Sequence, residues 1–102
     1  MDNKMALESM ECIIDAMPKE SRVGRLQLFF IIRSIVNELQ RQAKESNLWN
    51  AYMSEKFNAI IWSTEAISGL NDGNGHPAEQ HASWARIAIN TLKSGSCFGR
   101  EQ

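Results

Sequence analysis

Leu26-Gln27-Leu28-Phe29-Phe30-Ile31-Ile32-Arg33-Ser34-Ile35-Val36 is the stretch that decides between an all-helical chain and one containing sheet. Phe and Ile favour strands, so a strand over Leu26 to Val36 is the competing reading. The helical reading prevails because the pattern continues into polar sequence, Gln40-Arg41-Gln42-Ala43-Lys44-Glu45. Across both parts Leu28, Phe29, Ile32, Ile35, Val36, Leu39 and Ala43 fall on one broad stripe at the helical period. A helix over residues 19–45 follows, opened by Pro18 or Ser21. Gly24 weakens its first turn, at about 1 kcal/mol relative to Ala. Val23, Phe30 and Ile31 lie off the stripe. A helix that is apolar on more than one side is usually covered on more than one side, so this one belongs at the centre of a bundle or in a subunit interface.

Three further helices follow on either side. In residues 3–17, Ala6, Leu7, Met10, Ile13, Ile14 and Met17 share one arc, while Glu8, Glu11 and Asp15 share the opposite one; Pro18 stops the helix. In residues 48–68, Trp49, Met53, Phe57, Ile60, Ile61 and Ile67 form an arc beside Leu48, Tyr52, Ala59 and Ala66, with Trp62 at the edge and Gly69 suited to the left-handed stop. In residues 77–94, Pro77 suits the first helical position, and Ala78, Ala82, Ala85, Ala88, Ile89 and Leu92 make a stripe of mostly small residues. Gly69-Leu70-Asn71-Asp72-Gly73-Asn74-Gly75 is the one strong loop signal, and Met17-Pro18 and Ser46-Asn47 are weaker breaks. The expected architecture is an all-α bundle of about four helices with helix two central, in one domain over residues 1–95, followed by a flexible tail at 96–102.

The bulk numbers narrow the class. The chain has 102 residues, 11 basic and 12 acidic side chains and 43% hydrophobic residues, which suits one compact domain. A near-neutral balance argues against a generic nucleic-acid binder. The longest apolar run, Leu28 to Ile32, is far below the roughly 20 residues of a membrane span, and no basic-then-apolar leader pattern opens the sequence. Cys12 and Cys97 stand 85 positions apart with no metal spacing, so two reduced thiols and a cytoplasmic setting are expected.

Chemistry-bearing motifs are sparse. His76 and His81 flank the loop, but five positions on one helix would turn them about 140° apart. Asp72-Gly73-Asn74-Gly75 begins like a calcium loop, then places Pro77 where Gly belongs and Ser83 where Glu belongs. His81 falls on an apolar arc and reads as a hydrogen-bonded packing residue. Cys12 or Cys97 with His81 has no local signature of a nucleophile and base. Glu8 with Glu11, and Glu55 with Glu65, read as solvated helix faces. No catalytic, cofactor-binding or metal-ligating residue is assigned, and a small enzyme is the least favoured class.

Charge and aromatic placement say more. Residues 19–44 hold Lys19, Arg22, Arg25, Arg33, Arg41 and Lys44 against Glu20 and Glu38, and Arg22, Arg33 and Lys44 align on the helical wheel with Arg25 nearby. This ridge could meet phosphates, or the acidic side of helix one in the same chain or a second copy; the second reading is favoured. Three Trp in a short chain is a strong signal. Trp62, Trp84 and Ile87 sit at or beyond the edges of their apolar arcs, and exposed Trp near Arg is typical of interface hot spots. The expectation is a non-enzymatic protein–protein interaction module: an adaptor, inhibitor or regulatory subunit, of the kind seen among small intracellular or phage-encoded accessory proteins. Tyr52, Trp62, Trp84 and Ile87 would anchor the partner and Arg22, Arg25 and Arg33 would steer it. A homodimer is the expected state. The alternative is a nucleic-acid-associated regulator using the helix-two ridge.

Overall fold

The computed structural model describes residues 2–94, and they form four helices with no strand among them. Helix α1 spans Asn3–Ala16, α2 Arg22–Glu45, α3 Ala51–Ser68 and α4 Ala78–Ser94. The tail at 96–102, including Cys97, lies outside the described residues.

Each start has a local cause. Asp2 caps α1 by accepting from the Lys4 amide at 2.8 Å. Ser21, rather than Pro18, opens α2, its hydroxyl accepting from the Gly24 amide at 3.1 Å. Asn50 caps α3 through the Met53 amide at 2.9 Å, which sets the start three residues later than the apolar pattern suggests. Leu48 and Trp49 therefore lie ahead of the helix, half-buried, with Trp49 stacked on Phe57 at 5.8 Å. Pro77 stands just outside α4, its carbonyl accepting from the Gln80 amide at 3.0 Å.

The stops are equally local. A 3-10 turn at Met17–Lys19 carries Pro18 and ends α1. The α2–α3 connection turns on Asn47, whose φ is +59°. Gly69 ends α3 in the left-handed conformation at φ +86°.

The core is a single cluster. Leu7, Met10 and Ile14 of α1, Phe29, Ile32, Val36 and Leu39 of α2, Met53, Phe57 and Ile60 of α3, and Ile89 and Leu92 of α4 are all buried. Helix α2, the longest, packs against both α1 and α3, while α3 and α4 share the most extensive contact. Ala82, Ala85 and Ala88, all buried, keep the inner face of α4 small, which suits close approach by the neighbouring helices. Helix α3 also buries Thr64 and Ser68, whose hydroxyls donate to the Ile60 and Thr64 carbonyls at 2.8 and 3.0 Å. Bonding to their own helix satisfies these polar groups without a tertiary partner.

Two results bear on the surface. The acidic side of α1 pairs with α4: Lys93 donates to Glu11 at 2.8 Å, and Arg86 pairs with Asp15. The expectation that the α2 ridge faces those acids within one chain is thereby corrected, because α4 supplies cations on the side it turns to α1. The off-stripe residues of α2 remain in solvent, with Val23 66% and Phe30 51% exposed, and Ile31 is exposed as well. Packing on α1 and α3 covers the main stripe and leaves these side chains uncovered.

Candidate functional site

The loop after α3 builds a support for one histidine. Asn71 donates from Nδ2 to the Trp62 carbonyl at 3.2 Å and accepts at Oδ1 from the Gly73 amide at 2.7 Å. Asp72 accepts from the Asn74 amide at 2.9 Å. These bonds hold Gly73 at φ +61°, a conformation that disfavours any residue with a Cβ. Space demands glycine too, since an added Cβ would stand 2.6 Å from His81 Nε2.

Gly73 then accepts from His81 Nε2 at 2.9 Å. A carbonyl only accepts, so Nε2 carries the proton of this bond. His81 is 1% exposed, and its Nδ1 has no hydrogen-bond partner among the described residues. Rings fill the space around it. Trp62 lies 5.3 Å and Trp84 5.2 Å from the His81 ring, both edge-to-face. His76 stands 5.0 Å from Trp84 and 6.1 Å from His81. Four rings from α3, α4 and the loop between them thus form one cluster on the α3/α4 seam.

This arrangement corrects the divergence expected of the two histidines. His76 precedes Pro77 in extended backbone, φ −82° and ψ 149°, so it is off the helix and folds back beside His81. No group of three side chains able to hold a metal ion occurs among the described residues. The packing role read for His81 matches its burial and its bond to Gly73.

The indoles themselves are only partly covered, Trp62 at 39% and Trp84 at 38% exposed. Each turns one part to His81 and another to solvent. Ile87, exposed, follows Trp84 by one turn of α4. Tyr52, exposed in the first turn of α3, carries the Lys56 ammonium 5.3 Å over its ring.

The basic residues lie elsewhere. Arg22 lines a shallow groove with Glu20, Arg25, Ile67, Ser68 and Gly69, and Lys44 sits 5.6 Å over the Trp49 ring. The aligned residues Arg22, Arg33 and Lys44 therefore follow the α2/α3 seam, with α3 between them and the indole cluster. Arg25 is committed to structure, donating to the carbonyls of Pro18 at 2.6 Å, Glu20 at 3.1 Å and Ile67 at 3.3 Å. Arg41 bonds Glu38 and Glu45, and Glu38, accepting from Arg41 and Gln42, is held at a pKa of about 2. Arg22 and Arg33 are exposed and have no ion pair among the described residues. No helix among the described residues is long and apolar enough to cross a membrane.

Neither a protein-family model, nor a curated protein, nor a solved structure matches this chain.

Proposed function

We propose that this protein is a non-enzymatic interaction module, an adaptor, inhibitor or regulatory subunit, that holds a protein partner on the α3/α4 seam. The observation that carries the reading is the pair of half-exposed indoles, Trp62 and Trp84, seated on a buried imidazole. Burying the free part of an aromatic ring against a partner is favourable by area alone, and rings already held by neighbours lose little rotamer freedom on binding. Ile87 and Tyr52 extend the same surface along α4 and α3. Arg22 and Arg33 border a different seam, so they would influence approach through their field rather than by contact with a partner held at the indoles. A cytoplasmic setting belongs to the same reading and is supported by Cys12, an exposed free thiol.

The test is capture from source-cell lysate by the wild type and by W62A/W84A, with and without nuclease. The reading expects a protein band that survives nuclease and is lost from the double variant, whose far-ultraviolet dichroism stays helical. Equal capture by both removes it. A second reading, nucleic-acid association through Arg22, Arg33 and Lys44, is favoured only by the two unpaired guanidinium groups. It expects a low-salt gel shift that R22E/R33E abolishes, and no shift in the wild type ends it.

A further inference from the structure

Two apolar surfaces of this chain carry opposite charge. On the α3/α4 side the indoles are bordered by carboxylates. Glu55 lies seven residues before Trp62 on the same line of α3, Glu65 one turn after it, and Asp72 directly before Gly73. None of the three pairs with a cation among the described residues. On α2, Val23 and Phe30 stand exposed on one line, with the unpaired cations Arg22 and Arg33 along their flank. The two surfaces lie on different seams and cannot meet within one subunit.

We infer that these surfaces dock on each other between copies of the chain, head to tail, with Val23 and Phe30 of one copy against Trp62 and Trp84 of the next. Charge selects this pairing over a two-fold one. Placing α2 on α2 would gather four unpaired guanidinium groups in one contact against only the two Glu20 carboxylates, because Glu38 is already held by Arg41. Placing the indole face on itself would gather the carboxylates of Glu55, Glu65 and Asp72 twice over. With Glu20 counted on the α2 face and Lys56 on the indole face, the α2 face stays net basic and the indole face net acidic, so the heterologous contact sets opposite net charges together while covering the exposed apolar groups of both faces. The inference rests on the reading of the indole face as a docking surface and names a second copy as its occupant, in place of the symmetric dimer expected from sequence.

Charge reversal tests it without touching the core. The mass of the wild type, R22E/R33E and E55R/E65R is measured by light scattering across a concentration series, with dichroism confirming that all three fold. The wild type is expected to rise with concentration to at least twice the mass of one 11.5 kDa chain, and to fall back as salt is raised, since the Debye length shrinks from about 8 Å at 0.15 M to about 3 Å at 1 M. Each variant alone is expected to stay at the mass of one chain, because both of its faces then carry the same sign. Mixing the two variants is expected to restore association. A two-fold α2 contact would leave E55R/E65R dimeric, and a two-fold indole contact would leave R22E/R33E dimeric; either result overturns the inference. A wild type that remains monomeric also overturns it. Lysate capture that depends on Trp62 and Trp84 would still stand in that case, so the two failures are separable.

Discussion

Replacing Gly73, a buried residue of the α3–α4 loop, by Ala should destabilise the protein well beyond the same change at a solvent-exposed loop glycine. The residue sits at φ +61°, and a left-handed conformation disfavours a Cβ by about 1–2 kcal/mol. The added Cβ would also stand 2.6 Å from His81 Nε2 and 3.2 Å from Ala66 Cβ. His81 must move, and its bond to the Gly73 carbonyl breaks. Because Nδ1 already lacks a partner, both ring nitrogens would then be buried and unpaired, at a further loss of about 1–3 kcal/mol. Gly75 supplies the internal control. It has φ +81° and nothing within 4 Å of an added Cβ, so Gly75→Ala carries the conformational strain alone. Urea unfolding followed by dichroism should place Gly73→Ala about 2–5 kcal/mol below wild type and Gly75→Ala about 1–2 kcal/mol below it. For a domain of this size each kcal/mol lowers Tm by about 4–8 °C. Equal losses for the two variants would refute the claim that the Gly73 carbonyl holds His81 in place.

Other consequences are equally measurable. Arg25→Ala should lose about 1–3 kcal/mol in urea unfolding, because three carbonyls lose a charged donor, and Arg25→Lys should recover little of it because an ammonium lacks the planar fork. Ala85→Leu, at the most buried alanine of α4, should overpack the core by about 1–3 kcal/mol; a neutral result would mean that the packing there has slack. The Glu38 carboxyl, followed by NMR, should titrate near 2 in the wild type and return toward 4.5 in Arg41→Ala. Its folded pKa is depressed, so its contribution to stability is present above 4.5 and disappears as pH falls through about 2. Lys93, raised above 10.5 by its bond to Glu11, acts in the opposite direction: that contribution is whole below 10.5 and is lost as pH rises through the higher folded value, which Lys93→Met should remove.

Periodicity made the helices legible, because each must bury one stripe and the stripes at Met10, Ile32, Ile60 and Ile89 are unbroken. It left the start of α3 open, since Asn50 acts through a cap bond and not through hydropathy. It was silent on Thr64 and Ser68, polar residues that α3 buries by satisfying them internally. The surplus on α2 was visible as Val23, Phe30 and Ile31 lying off the stripe, yet whether a neighbouring helix covers them depends on packing that no local pattern encodes. At the candidate site Trp62 and Trp84 stood out as edge residues, while their meeting around His81 required the loop. Part of that signal was present: a residue before proline is driven out of helical space, which releases His76 from the helical spacing that seemed to separate it from His81. The Gly73 carbonyl that orients His81, and the three carbonyls that occupy Arg25, are tertiary contacts of the backbone and leave no mark on side-chain pattern.

An interaction module of this kind must touch another polypeptide in the cell through its indole face. A photo-crosslinking amino acid placed at position 62 or 84, with position 9 on the exposed side of α1 as control, measures this directly. Ultraviolet-dependent protein adducts are expected from positions 62 and 84 and none from position 9. Absence of adducts at both indole positions, in cells where the variants accumulate as folded protein, would contradict this role.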